Sequence, residues 1–253
     1  MALVGRAKKP DVPAKPGTRA LKPQPAGRPD RPKVFCIGFH KTGTTSVKDA
    51  LKILDYRVAG PFGRNDRNIA STVEATARAL VPQFDAFQDN PWPMIYRFLD
   101  KAFPGSKFIL TVRPTEKWLS SVSEHFIEGT PPMREWIYGP GRASPIGNET
   151  AYVERYERHN REVQEYFEGR ASDFLVFNLS AGDGWNELCA FLDHPVPTRP
   201  FPWRNSKTKR EQRVTVHGSR EELRRARRER LRAQAAGATQ NPGPDGIAKD
   251  VGS

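Results

Sequence analysis

Val34-Phe35-Cys36-Ile37-Gly38-Phe39-His40-Lys41-Thr42-Gly43-Thr44-Thr45-Ser46 runs four apolar residues into a glycine and then into a short polar loop with a second glycine. Val47, Ala50, Leu51 and Leu54 follow at helical spacing, so the stretch reads as strand, loop, helix. A buried strand that ends in such a loop can turn successive backbone N–H groups toward one point, and the helix that follows adds the positive end of its dipole. Such a loop cradles a phosphate. A plain glycine turn between a core strand and a core helix is the simpler alternative.

The loop has the glycine, four residues, glycine spacing of a P-loop, but Thr44 stands where an NTPase has lysine, and Lys41 lies ahead of Gly43. A second segment bears on the choice. Phe108-Ile109-Leu110-Thr111-Val112 is a strong strand that delivers Arg113 at its carboxyl end, where open parallel sheets bind ligands. Ser121 lies eight residues on, two turns into the next helix, with Thr115 as the expected N-cap.

Strands alternate with helices along the chain. Tyr56–Ala59 and Phe84–Gln88 read as short strands, Ala70–Leu80 as a helix, and Pro91-Trp92-Pro93 as the opening of another helix through Ala102. Ala151–Phe167 is a further helix, Phe174–Leu179 a last strand, and Gly184–Leu192 a packing helix around Trp185. This alternation predicts an α/β fold with a central parallel sheet flanked by helices. Gly129–Thr150 reads as an irregular stretch, an acceptor-site lid or a plain surface excursion.

Charge divides the 253 residues into three parts. Residues 1–33 hold nine Lys/Arg against two Asp/Glu, and residues 204–236 twelve against four, whereas residues 34–203 hold nineteen against twenty-one. The net charge of +12 therefore belongs to the two ends, unlike that of a uniformly basic nucleic-acid-binding domain. The expected organisation is a disordered basic, Pro-rich leader over 1–33, a domain over 34–205, and a basic tail over 206–253, with a solvated helix at Ser219–Ala236.

Cys36 and Cys189 read as small buried hydrophobes, and the five histidines show no metal-ligand spacing, so no structural metal is expected. No apolar run approaches the roughly 20 residues of a membrane span, and the cytoplasm is the expected location.

The Lys-x-Gly-Thr-Thr loop, with the Arg113–Ser121 pair downstream, resembles the P-loop sulfotransferase superfamily. The resemblance extends from about Lys33 to Asn205 and includes the Asp89-Asn90-Pro91-Trp92-Pro93 stretch. It implies a P-loop NTPase-like three-layer sandwich and 3′-phosphoadenosine 5′-phosphosulfate (PAPS) as co-substrate, without a metal.

By that resemblance, the backbone from Thr42 to Ser46 and the hydroxyls of Thr44, Thr45 and Ser46 hold the 5′-phosphosulfate, with Gly43 at the turn and Lys41 beside the bridging oxygen. Arg113 and Ser121 clamp the 3′-phosphate. Asp89, and as the alternative His40, is the general base. Trp118 or Trp203 lines the adenine, and Arg204, Lys207 and Lys209 close over the 3′-phosphate. The acceptor is a small molecule or a carbohydrate, met by loops 60–68 and 129–150.

Two other functions stay open: a P-loop kinase or NTPase, with Asp89 near a metal-binding position, and a non-catalytic nucleotide-binding protein acting through its basic tails. Neither tails nor loop fix an oligomeric state. The basic tails are expected to make weak electrostatic contact with anionic surfaces. Truncation at Ser206 should then weaken retention on heparin at low salt, and unchanged retention would remove that role from the tail.

Overall fold

The computed structural model describes residues 31–126 and 129–203, together with Arg225 and Glu229. The expected leader, apart from residues 31–33, lies outside the described residues. So do the tail helix at Ser219–Ala236, apart from Arg225 and Glu229, and Arg204, Lys207 and Lys209.

The described residues form a five-stranded sheet of β1 (Val34–Cys36), β2 (Val58–Ala59), β3 (Ala86–Phe87), β4 (Lys107–Thr111) and β5 (Phe174–Phe177), in the order β2-β3-β1-β4-β5. Every pairing is parallel. Seven α-helices connect and flank the strands: α1 (Thr44–Ile53), α2 (Ile69–Leu80), α3 (Tyr96–Ala102), α4 (Thr115–His125), α5 (Pro132–Tyr138), α6 (Glu149–Tyr166) and α7 (Trp185–Leu192). This is the α/β sandwich that the alternation predicts.

The pleat of β1 explains the layers. Successive side chains on a strand face opposite ways, and Val34 and Cys36 pack with α1 and α7, beside Ala86 and Ile109. Phe35 and Ile37 face the other way, into a larger cluster with residues of α2 to α6. Register sets Phe35 opposite both Phe87 and Phe108. Their rings stack at centroid distances of 4.8 and 5.4 Å, so that face of the sheet is aromatic.

Three local features depart from the sequence reading. The stretch expected to be irregular contains α5, which starts on Pro132 and buries Met133, Ile137 and Tyr138. Met133, Trp136 and Ile137 have the i, i+3, i+4 spacing of a helix face, and Pro132 at the first turn supplies a preset φ. Thr115 does not cap α4. It is the first helical residue, and its hydroxyl donates to Glu157 Oε1 at 2.9 Å. The Pro91–Pro93 segment makes a 3-10 turn, Trp92–Ile95, before α3 begins.

Just beyond β1, the backbone at Gly38 passes close to the end of β4. A Cβ on Gly38 would stand 2.0 Å from Thr111 Oγ1 and 2.3 Å from Thr111 O. Backbone cannot yield cheaply there, so Gly38→Ala should cost about 3 kcal/mol, measured by urea denaturation. A loss below about 1 kcal/mol would mean that the strands part without penalty.

Candidate active site

The carboxyl ends of β1, β3 and β4 deliver the polar residues. Beyond β1 the loop is tied down by Thr42, whose hydroxyl donates to Phe39 O at 2.5 Å and lies 2.6 Å from Thr111 Oγ1. Lys41 has φ 67° and Gly43 φ 109°, both left-handed. For a lysine this conformation costs about 1–2 kcal/mol, and it turns the chain sharply between two tethered residues. Leu179 walls the loop at Gly43, where a Cβ would lie 2.2 Å from Leu179 Cδ1.

Helix α1 then starts with no side-chain cap and no acidic residue in its first turn. The first backbone N–H groups of a helix have no intrahelical acceptors. With the dipole they favour an anion. Thr44 and Ser46 are buried at this end, whereas Thr45 is exposed.

Arg113 follows β4. Tyr156 grips its backbone on both sides, accepting the Arg113 N–H at 2.9 Å and donating to the Arg113 carbonyl at 2.8 Å. The Arg113 Nη1 donates to Lys41 O at 3.3 Å, which joins the arginine to the loop after β1, while its Nε is buried without a partner. Ser121 lies half-buried on α4, and no hydrogen bond joins it to Arg113 among the described residues. Trp118 is wholly buried and stacks on Tyr156 at 4.1 Å, with its indole N–H donating to His40 O at 2.9 Å. It supports the loop from beneath and offers no open face to an adenine. Trp203 stays exposed beside Phe201.

Asp89 follows β3 with φ 69° and is half-buried. Its Oδ1 accepts the Asn90 N–H at 2.8 Å and caps no helix. Burial raises its pKa above the usual carboxylate value, with the charges of Lys41 and Lys48 opposing that rise. Lys41 and Asp89 therefore lie within electrostatic reach of each other.

His40 is 4% exposed, with Nδ1 3.0 Å from Asn90 Nδ2 and Nε2 2.8 Å from the Tyr138 hydroxyl. Burial, followed by the charges of Lys41, Arg134 and His125, lowers its pKa to about 3. With the Asn90 amide donating, Nδ1 accepts, and the ring proton sits on Nε2 facing Tyr138. The loops expected to meet an acceptor also converge here: Phe62 N–H donates to Asn90 O at 3.3 Å, and Met133 N–H to Arg64 O at 3.3 Å.

Thr111, Tyr138, Tyr156 and Lys48 have no site role in the sequence reading, and Asn90 enters it only as part of the Asp89–Pro93 stretch. Tyr138 lies in the stretch read as irregular, and Thr111, Tyr156 and Lys48 carry no local signal of a site. Among the described residues, no group of three or more His, Cys, Asp and Glu side chains could hold a metal ion. No helix of the described residues is long and apolar enough to cross a membrane.

A family model described as "Sulfotransferase domain" matches residues 33–143 and 131–210, the whole sheet and all seven described helices. The chain belongs to the sulfotransferase domain family. Its similarity to "Ava biosynthesis cluster protein M" of Aspergillus versicolor is 26% identity over 216 residues, covering 67% of this chain and 79% of that protein. The family assignment makes a transferase of the domain, and the elements it spans are those that carry the loop, Asp89 and Arg113.

A second buried histidine of this sulfotransferase domain, His159, is 1% exposed with Nε2 2.8 Å from Ile37 O, and burial lowers its pKa to about 3. Both histidines stay neutral when folded, whereas the unfolded chain takes up protons near pH 6.5. Stability is therefore full above that pH and falls as pH drops toward 3. By pH 5 the loss should be about 2 kcal/mol per histidine. Urea titrations at pH 7 and 5 should show it, with about 2 kcal/mol of the loss removed in His159→Gln. An unchanged difference in that variant would place the acid sensitivity elsewhere.

Proposed function

We propose that this sulfotransferase domain moves a sulfuryl group from PAPS to a hydroxyl or amine of a small-molecule or carbohydrate acceptor. The observation that carries this reading is Arg113. Its buried Nε has no partner, its Nη1 is fastened to the Lys41 carbonyl, and the uncapped start of α1 lies just beyond Lys41. Two anion sites thus flank one lysine, as a donor with both a 3′-phosphate and a 5′-phosphosulfate requires.

The residues fit the donor. The N–H groups at the start of α1, with Thr44, Thr45 and Ser46, would hold the 5′ end, and Gly43 supplies the left-handed turn that leads into that helix. Arg113 would take the 3′-phosphate by a charge-assisted pair, with Ser121 adding a hydroxyl from α4. Bound there, the donor supplies an activated sulfuryl group, and negative charge grows on its phosphate as the bond to sulfur breaks. Lys41 and the fixed N–H dipoles stabilise charge at that point without having to reorganise.

Asp89 takes the acceptor's proton. Its Oδ1 is occupied by the Asn90 N–H, its Oδ2 takes no hydrogen bond from the described residues, and a raised pKa makes it the stronger base. His40 is the positioning group in this reading, because both its ring nitrogens are engaged and it remains neutral. A cytoplasmic location belongs to the same reading, as does weak contact of the basic tails with anionic surfaces.

Titration calorimetry with 3′,5′-adenosine diphosphate, beside ADP and ATP with Mg²⁺, tests the donor site. Selective binding of the 3′-phosphorylated nucleotide, weakened about 10- to 100-fold in Arg113→Ala, is expected. Preference for ATP with Mg²⁺ would replace this reading with a kinase. Asp89→Asn should lower kcat by about 10²–10⁴ with nucleotide affinity unchanged, and retained turnover would move the base to another residue.

A further inference from the structure

We infer that the acceptor carries a carboxylate, and that Arg155 receives it in a cavity between the end of α5 and the second turn of α6. The inference rests on the donor reading above. It concerns a part of the domain that the donor does not occupy.

The cavity has a volume of about 230 Å³, and its lining includes Tyr138, Arg142, Glu154, Arg155 and Arg158. Three cations against one acid give it an excess of positive charge. Arg158 has a partner in Glu162 at 3.9 Å on its own helix, a surface pair worth little. Arg155 has none of that kind. Its Nη2 donates to the Met94 thioether at 3.2 Å, a weak acceptor, and its guanidinium lies 5.3 Å from the centre of the Phe39 ring. Its Nη1 is buried with no hydrogen-bond partner.

A guanidinium left this way has lost water without gaining an acceptor, and such a buried group is costly unless a ligand completes it. Burial, together with the charge of Arg158, accordingly lowers the Arg155 pKa. A carboxylate restores the balance, since its two oxygens match the planar fork of an arginine.

Three contacts connect the cavity and Arg155 to the elements that carry the reacting groups. Tyr138 lines the cavity and bonds His40 of the phosphate loop, Phe39 of that loop lies against Arg155, and Met94 belongs to the turn that follows Asp89. A carboxylate on Arg155 would thus lie one side chain away from the loop after β1, through Tyr138 and Phe39, and from the turn after Asp89, through Met94.

The test uses the full chain saturated with 3′,5′-adenosine diphosphate. It is titrated with 4-hydroxyphenylacetate, the corresponding amide 4-hydroxyphenylacetamide, and 4-hydroxyphenyl phosphate. Wild type, Arg155→Met and Arg155→Lys are compared. The acid should bind in the millimolar range or tighter, and about tenfold more tightly than the amide. That preference should vanish in Arg155→Met and survive in part in Arg155→Lys, while nucleotide affinity stays the same in all three, which also reports that the variants fold.

Equal binding of acid and amide, no binding of the acid at millimolar concentration, a preference for the phosphate, or a preference that persists in Arg155→Met would each overturn the inference. Failure of wild type to bind the nucleotide would instead overturn the donor reading, and this inference with it.

Discussion

The hydroxyls of Thr42 and Thr111, 2.6 Å apart, join the loop after β1 to the neighbouring strand. Their approach requires β1 and β4 to converge at Gly38, where no side chain fits. Lys41 and Arg113 stand on either side of that junction. Lys41 precedes Thr42 and Arg113 lies two residues beyond Thr111, so one short contact fixes the distance between the loop cation and the arginine. A sheet whose strands ended a residue earlier or later would leave them on unrelated surfaces.

Beneath that junction the support is aromatic. Trp118 and Tyr156 stack face to face, and each also spends its polar atom on backbone near the site: the indole N–H on His40 and the phenol on Arg113. Rigid rings with one hydrogen-bonding group position backbone well, because few torsions must be frozen to hold them. The buried histidines act in the same way. His40 and His159 are kept neutral by burial and serve as fixed donors and acceptors between the loop, β1 and the helices of one layer.

Much of this arrangement was legible in the chain. The β1–loop–α1 unit and the β4–Arg113 step announce themselves through continuous apolar runs that stop at a glycine or a charge, and such signals are local. Strands β2 and β3 are only two residues long, and pairing with longer neighbours defines them better than their own composition does. Helix α5 was obscured by the glycines and prolines around it, although Met133, Trp136 and Ile137 carried its period. Thr111, Tyr138 and Arg155 could not be picked out at all. Their contacts are with partners far along the chain, such as His40 for Tyr138 at a separation of 98 and Thr42 for Thr111 at 69, and no short-range pattern records such contacts.

The left-handed backbone of Lys41 has a consequence for how the family's sequences can drift. Glycine, asparagine or aspartate would sit more comfortably at this position, so those few substitutions would ease the backbone while removing the cation. Selection for a sturdier fold and selection for charge at the loop pull in opposite directions on one codon. A lineage that no longer needs the chemistry should lose this lysine early and keep the rest of the fold intact.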